Sequence, residues 1–185
     1  MRVIAGEARS LPLKCPDGMD TRPTTDRIKE TLFNMLQTKV PYSVFVDLFA
    51  GSGAIGIEAL SRGAKKAYFA ENTAEAIHCI QDNLQFTKLA DRAVVLKQDA
   101  LSALNSIFEK EVDIVFMDPP YGQDLEKQVL SVLKGYRYIH EDTLIIVEAD
   151  LFTDFSYAED MGYQILKEKK YKTNKHVFLQ ERNQK

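Results

Sequence analysis

The residues best suited to chemistry are four in a row, Asp118-Pro119-Pro120-Tyr121. They follow the apolar run 112–117, which has the length and composition of a buried strand. Proline lacks an N–H and has a fixed φ, and Pro120 also keeps Pro119 out of the helical region. We therefore predict a stiff loop at the carboxyl end of a strand, where open α/β sheets bind their ligands.

An exocyclic amino group of a nucleic-acid base is the ligand that this loop suits. Its nitrogen is a weak nucleophile because the lone pair is delocalised into the ring. Asp118 can accept one amine hydrogen and the Pro119 carbonyl the other, which directs the lone pair at an electrophile and sets a carboxylate beside the growing positive charge. Tyr121 can stack on the base, a contact worth roughly 1–3 kcal/mol. Asp-Pro-Pro is also ordinary turn sequence, so the motif alone leaves a purely structural role open.

The elements that must position this loop alternate between strand and helix from residue 44 onward. The predicted strands cover residues 44–49, 67–70, 93–97, 112–117 and 143–148, and the predicted helices cover 55–62, 73–87, 101–110 and 125–133. Such alternation predicts an α/β fold with a parallel sheet and helices on both faces. Residues 163–170 and 177–180 are predicted to pair as antiparallel strands at one sheet edge.

A glycine-rich loop follows the first of these strands. Gly51, Gly53 and Gly56 satisfy the spacing G-x-G-x-x-G, which permits a tight turn and close approach of a ligand to the backbone. Glu71 ends the next strand, 20 residues after Gly51, and can accept hydrogen bonds from both ribose hydroxyls of an adenosine. The same pattern is typical of dinucleotide sites, so on its own it leaves two cofactors open.

Three features favour S-adenosylmethionine over a dinucleotide. Asp47, four residues before the glycines, suits the cationic methionine end of that cofactor, whereas a pyrophosphate gains nothing from a carboxylate there. Asp99-Ala100, after the third strand, lies where an adenine amino group is expected. Asp118 and its neighbours suit an amine acceptor, and no residue is obviously placed for hydride transfer. The alternatives are that Asp99 only caps the following helix and that backbone amides of the glycine loop orient Asp47.

The first forty residues are predicted to form a small extension on the main body. Residues 2–14 resemble a short β-hairpin, and apolar side chains at positions 28, 32, 33, 35 and 36 indicate a helix that Thr24 or Thr25 can cap. We therefore divide the chain into an extension, residues 1–40, and a catalytic domain, residues 41–185.

Basic side chains cluster near the start of this first helix. Arg22, Arg27 and Lys29 can grip a phosphate or a cofactor carboxylate, or they can equally form salt bridges with Asp26 and Glu30. A related asymmetry runs through the chain, because residues 1–39 carry a net charge of +2, residues 167–185 carry +5 and the middle carries −10. Basic ends can contact phosphates, or they can simply be solvated.

Composition excludes several classes of protein. With 185 residues, 45% hydrophobic and 28% charged, the chain is typical of a soluble α/β domain, and it contains neither an 18-residue apolar run nor a signal-peptide pattern. We expect a cytoplasmic protein with no membrane contact. Cys15 and Cys79 are too few and too far apart for a disulfide framework or a zinc cluster, and we predict no metal. The isolated His78, His140 and His176 are expected to be surface or partly buried side chains.

Four stretches of the chain resemble one known family. They are residues 2–6, 22–36, 47–64 and 118–121, which occur in the same order in the RsmD family of bacterial methyltransferases. The resemblance implies a class I methyltransferase fold, a Rossmann-like sheet of seven strands, mostly parallel with an antiparallel last strand. It implies S-adenosylmethionine as cofactor. The cofactor residues assigned are Asp47, Phe49, Gly51, Gly53, Glu71, Asp99 and Ala100, and the catalytic residues are Asp118, Pro119, Pro120 and Tyr121.

The activity that the resemblance implies is methylation of guanine N2 in small-subunit (16S) ribosomal RNA. The expected partner is this RNA, either alone or within an assembling small subunit, and Arg22, Thr24 and Arg27 are the expected substrate-binding residues of a monomeric enzyme. Adenine-N6 or cytosine-N4 methylation of DNA or RNA remains the alternative, because Asp-Pro-Pro-Tyr fits it equally. The chain departs from the family pattern at residues 7–10 and at Lys172, both in regions expected to face the RNA or the sheet edge.

Overall fold

The computed structural model describes residues 1–16 and 26–182. Within that part of the chain, seven strands form a single sheet. The strands are β1 Val44–Asp47, β2 Lys66–Ala70, β3 Ala93–Leu96, β4 Ile114–Met117, β5 Leu144–Asp150, β6 Tyr163–Lys170 and β7 Asn174–Glu181. The helices are α1 Asp26–Met35, α2 Ala54–Ser61, α3 Ala74–Thr87, α4 Ala100–Leu104, α5 Leu125–Leu133 and α6 Tyr157–Asp160, with a 3₁₀ turn at Ala90–Arg92.

The strand order across the sheet is β3-β2-β1-β4-β5-β7-β6. Strands β1 to β5 pair in parallel, and β7 lies antiparallel between β5 and β6. The predicted mostly parallel, seven-stranded sheet with an antiparallel last strand is therefore confirmed. Chain order reverses between β1 and β4, and the crevice beyond the carboxyl ends of strands at such a point is the usual ligand site.

Each face of the sheet is covered by helices, as the alternating pattern predicts. One apolar cluster joins the sheet to α1, α2 and α3, and a second joins it to α4, α5 and α6. Helix α2 is buried along its whole length, because it is covered by the N-terminal segment on its outer side as well as by the sheet. The glycine loop thus begins a helix that is held firmly in the core.

Two local predictions differ from the structure. The helix predicted over residues 101–110 ends at Leu104, because the Leu104 carbonyl accepts a hydrogen bond from the Tyr138 hydroxyl at 2.7 Å. A longer helix would use that carbonyl as the acceptor for the N–H of Phe108. The residue Phe108 is instead 85% exposed. The four-residue helix α6 was not predicted at all. Both differences depend on residues distant in sequence.

The N-terminal segment forms an irregular hairpin that packs on α2. The N–H of Val3 donates to Leu11 at 3.0 Å and that of Ser10 to Val3 at 2.8 Å, with one isolated antiparallel bridge between Arg2 and Pro12. Val3 is fully buried in the same cluster as α1 and α2. The segment therefore shares the core of the main sheet.

A buried carboxylate fastens this segment to α2. Glu58 accepts hydrogen bonds from the N–H groups of Ile4 and Ala5 at 2.8 and 3.1 Å and from Arg62 at 2.7 Å. Its other neighbour is the ammonium group of Lys29, 3.4 Å away, and the side chains of both Lys29 and Glu58 are fully buried. The sequence predicts that Lys29 binds a ligand anion or pairs with Asp26 and Glu30, whereas the structure pairs it with the buried carboxylate of Glu58.

Glu58→Ala is expected to lower the free energy of unfolding by about 3–5 kcal/mol, because it leaves the buried ammonium of Lys29 without its counter-ion and two backbone N–H groups without their acceptor. Urea denaturation of the purified protein measures the change. The matched control is Asp82→Ala, which removes an exposed ion pair with Lys14 and is expected to leave the midpoint near that of the wild type. Equal losses in the two variants would contradict the anchoring role of Glu58.

Candidate active site

The loops that follow the parallel strands open into one cleft of about 1340 Å³. Most of the residues assigned from the sequence line it: Asp47, Phe49, Gly51, Glu71, Asp99, Ala100, Asp118, Pro119, Pro120 and Tyr121. Gly53 lies behind the loop, at the start of α2. Among the described residues, Arg27 is an exposed side chain of α1 outside the cleft lining, and the predicted substrate residues Arg22 and Thr24 fall outside the described ranges.

The glycine loop bends back over the end of β1. Gly51 and Gly53 both have left-handed backbone angles, with φ of +53° and +79°. A Cβ built on Gly51 has open space around it, so this part of the loop lets a ligand approach the backbone closely. Glu71 fixes the loop from β2, because its carboxylate accepts the Gly51 N–H at 3.1 Å.

Gly56 has a different role from the two glycines before it. A Cβ at this position would lie 2.3 Å from a ring carbon of Phe69 on β2. Only glycine therefore lets α2 lie this close to the sheet, which is the packing role expected for the third glycine of such a motif.

Asp47 ends β1 as a buried carboxyl group below the glycine loop. It is only 1% exposed, and none of the described residues provides a hydrogen-bond partner for its Oδ1. Burial raises the pKa of Asp47 to about 7, although the N–H groups of Phe49 and Gly56 favour the charged form and oppose the shift. The loop amides thus orient Asp47, as one of the sequence alternatives held, but one oxygen remains unsatisfied and requires a donor from a ligand.

Glu71 and Asp99 stand at the ends of β2 and β3. One oxygen of Glu71 accepts hydrogen bonds from the N–H groups of Asn72 and Thr73, both at 2.9 Å. Asp99 caps α4, accepting from the Ser102 N–H at 3.0 Å and its hydroxyl at 2.7 Å, and these bonds lower the pKa of Asp99. The capping alternative is therefore realised, while the exposed Asp99 still borders the cleft.

The loop Asp118 to Tyr121 forms the far wall of the cleft. It leaves β4 after Met117 without entering a helix until Leu125, as its two prolines require. Burial raises the pKa of Asp118 well above its ordinary value, and the nearby carboxylates Glu148 and Asp47 raise it further. Asp118 is thus an acid placed where a positive charge from a ligand would be strongly favoured.

A second, smaller cavity of about 300 Å³ lies on the other side of this loop. It shares Pro119, Pro120, Tyr121 and Glu148 with the main cleft. The loop therefore borders two cavities rather than forming a turn on a solid surface.

A buried polar network beside Asp118 was missed from the sequence. Glu148 accepts a hydrogen bond from Asn174, and its other oxygen lies 2.9 Å from Nε2 of His176. The Nδ1 of His176 lies 3.1 Å from the hydroxyl of Tyr171. His176 is fully buried, so the prediction of a surface or partly buried side chain is wrong for this residue. No motif marks these residues; only the pairing of β5 with β7 brings them together.

Other expectations concern membranes, metals and cysteines. Along residues 1–16 and 26–182, no helix has the length and apolarity needed to span a membrane. The same residues contain no group of three or more His, Cys, Asp or Glu arranged to hold a metal ion. Cys15 and Cys79 are both free thiols.

Comparison with known proteins gives consistent matches over most of the chain. Residues 1–180 match the model of the family described as Conserved hypothetical protein 95. Ribosomal RNA small subunit methyltransferase D of Haemophilus influenzae is 38% identical over 173 residues, 91% of this chain and 88% of that protein. The Escherichia coli K12 protein of the same name is 37% identical over 151 residues, 82% of this chain and 75% of its own. A crystal structure from H. influenzae has a TM-score of 0.81 at 34% identity and covers 99% of both chains.

Proposed function

The chain belongs to the Conserved hypothetical protein 95 family, the RsmD family of the sequence resemblance, and on that premise we propose that it methylates guanine N2 in small-subunit ribosomal RNA. The proposed methyl donor is S-adenosylmethionine. The observation that carries the proposal is that one cleft joins the glycine loop and Glu71 at one end to the Asp118 loop at the other. Relatives named ribosomal RNA small subunit methyltransferase D support the class of substrate.

The residues around the glycine loop fit this cofactor. The unpaired Oδ1 of Asp47 suits an ammonium or sulfonium group, and the open space at Gly51 suits a ligand that lies against the backbone. Glu71 and Asp99 retain carboxylate lone pairs for ribose hydroxyls and an adenine amine. When bound, the cofactor supplies a methyl group activated by a positively charged sulfur.

Asp118 and the Pro119 carbonyl are proposed to hold the acceptor amine. Each accepts one N–H, so the lone pair of N2 is freed from the ring and directed along the cleft. As the nitrogen–carbon bond forms and the carbon–sulfur bond breaks, the nitrogen becomes positively charged, and Asp118 stabilises that charge. One N–H proton then leaves to Asp118 or to solvent, which yields the neutral methylated amine. Tyr121, 43% exposed, is proposed to stack on the base.

The cleft is large enough for both ligands. A single small-molecule site usually occupies roughly 300–1,000 Å³, and this cleft has about 1340 Å³. The donor is proposed to lie over β1, β2 and β3, and the guanine over β4 and β5. Alignment of the two groups accounts for much of the rate, so no covalent intermediate on the enzyme is required.

The base must leave its stack to reach Asp118, because the loop lies inside a cleft. We assign phosphate contacts to the basic ends of the chain, including Arg22, Thr24 and Arg27, and we regard an assembling small subunit as the natural form of the RNA. A monomer acting in the cytoplasm is the proposed working state.

Deletion of the gene is expected to remove one N2-methylguanosine from small-subunit RNA. Mass spectrometry of nucleosides and RNA fragments from the deletion strain and its complemented parent measures this. Purified protein with methyl-labelled S-adenosylmethionine should restore the modification to RNA or subunits from the deletion strain. Label in N6-methyladenosine or N4-methylcytidine would contradict the choice of base, and binding of a nicotinamide nucleotide in place of S-adenosylmethionine would contradict the reaction class.

A further inference from the structure

Asn174 carries a buried acceptor that no residue in the described part of the chain satisfies. It is the first residue of β7 and pairs with Asp150, the last residue of β5, so it lies at the carboxyl edge of the sheet. Asn174 is only 6% exposed, it lines the main cleft, and its Oδ1 has no hydrogen-bond partner among residues 1–16 and 26–182. Since buried polar atoms are nearly always paired, this oxygen marks a position where a ligand supplies a donor.

The orientation of this amide is fixed by its neighbours. The Nδ2 of Asn174 donates to Glu148, whose other oxygen faces Nε2 of His176. A rotated amide would bring its oxygen against the carboxylate and lose that bond. Tyr171, which contacts Nδ1 of His176, extends the chain of contacts away from the cleft. Asn174, a residue of the cleft lining, therefore keeps Oδ1 as an acceptor, and it cannot offer a donor at that position without breaking the network.

The oxygen also lies at the acceptor end of the cleft. Met117 of β4 pairs with Val147 of β5, so the next residues on the two strands, Asp118 and Glu148, are neighbours. The charge of Glu148 acts directly on Asp118, which agrees with this placement. From β1, where the glycine loop begins, β7 is three strand spacings away, about 14 Å. A ligand bound at the glycine loop is therefore not expected to contact Asn174, which is closer to the molecule held by Asp118.

We infer that Oδ1 of Asn174 accepts the N1–H of the target guanine and makes the site specific for this base. The inference rests on the proposed function, since it supposes that a guanine amine lies at Asp118. In guanine, two ring nitrogens flank the amine: N1 carries a hydrogen and N3 carries a lone pair, and the proposed contact is with N1. In adenine and cytosine, the ring nitrogen next to the amine carries a lone pair, which would face the fixed oxygen of Asn174 and be repelled.

The role of Asn174 can be tested with the wild-type protein and an RNA that carries one altered base. 2,6-Diaminopurine keeps the 2-amino group but has a lone pair at N1. Once the methylated guanine is mapped, small-subunit RNA carrying diaminopurine at that position is made by splinted ligation and compared with the guanine form. We expect kcat/KM to be roughly 5- to 150-fold higher for guanine, the range for a buried acceptor that loses its donor. Equal rates would overturn the inference.

Asn174→Ala isolates the contact itself. The preference for guanine over diaminopurine is expected to fall by a factor in the same range, roughly 5- to 150-fold, because the contact that causes it is gone. The double-mutant cycle cancels effects of the altered 6-substituent. If the alanine variant does not fold, the same comparison is made with Asn174→Leu, which keeps the shape of the side chain. The matched control is Asn105→Ala, an exposed asparagine outside the cleft lining, which should keep the wild-type preference.

The outcomes separate this inference from the proposed function. If wild-type protein methylates guanine N2 and Asn174→Ala keeps the full preference over diaminopurine, the reading role of Asn174 is wrong and the proposed function stands. If wild-type protein methylates adenine or cytosine and never guanine, both are wrong.

Discussion

Asp118→Ala is expected to lower kcat for methyl transfer by about 10²- to 10⁴-fold, the range for a positioned acid–base group. The substitution removes the acceptor that frees the amine lone pair and the charge that stabilises the nitrogen as it becomes cationic. Asp118→Asn keeps a side-chain oxygen but not the charge, so its rate is expected to lie between those of the alanine variant and the wild type.

Single-turnover assays with methyl-labelled cofactor measure the chemical step, and calorimetry measures cofactor affinity separately. Affinity is expected to change by less than about threefold, because the interaction of Asp118 is made mainly in the transition state. Asp91→Ala, an exposed carboxylate after α3, is the control and should keep the wild-type rate. Near wild-type turnover in Asp118→Ala would exclude the assigned role.

The same substitution is expected to leave the protein as stable as the wild type or to stabilise it. Burial and the carboxylates of Glu148 and Asp47 raise the pKa of Asp118 in the folded state. A raised carboxyl pKa means that the folded protein binds this proton more tightly than the unfolded chain, so stability declines as pH rises through the interval between the two pKa values. Removing the carboxyl group relieves that penalty, and a melting temperature at least equal to wild type at pH 8 separates lost chemistry from lost folding.

The topology and the cofactor end of the site are predictable from sequence because their signals are local. Local sequence determines the strand before Gly51, the position of Glu71 after the next strand and the stiff backbone of the prolines after Asp118. Parallel strands then bring their carboxyl ends to one edge of a sheet. Helix α5 has the predicted limits for the same reason, since an uninterrupted periodic pattern determines it. Strand β6 also has the predicted limits, although its pairing with β7 shifts register between Ile165 and Lys167.

The polar network of Glu148, Asn174 and His176 is not predictable in this way. Its members are brought together by antiparallel pairing of β5 with β7, and a shift of one residue in that register would turn them to the opposite face. Lys29 is a similar case, because its buried partner Glu58 lies on another helix. From sequence alone, an isolated charged residue or histidine is predicted to lie at the surface, because the partner that compensates its burial is not known.

The buried carboxyl group of Asp47 lowers the stability of the ligand-free protein and is expected to strengthen binding of a cationic ligand. Its pKa of about 7 in the folded protein, against an ordinary value of 3.8, means that stability falls as pH rises from about 4 to 7, and that the full penalty applies above this interval. Asp47→Asn is therefore expected to increase the free energy of unfolding at pH 8 by on the order of 2–4 kcal/mol and to have little effect at pH 4. Urea denaturation at the two pH values measures the difference.

Asp47→Asn is also expected to weaken cofactor binding by roughly 10- to 100-fold, because it removes a charge-assisted hydrogen bond in a buried site. A cationic ligand group beside the unpaired Oδ1 lowers the pKa of Asp47, so wild-type protein should release about half a proton on binding at pH 7. Calorimetry in buffers of different ionisation enthalpy measures this release, which the asparagine variant should lose. Asp113→Asn, which alters a carboxylate bonded to the N–H of Val44 at the opposite end of the sheet, should keep both the affinity and the release. Binding by the wild type without buffer dependence between pH 6 and 8 would show that no cation of the ligand lies at Asp47.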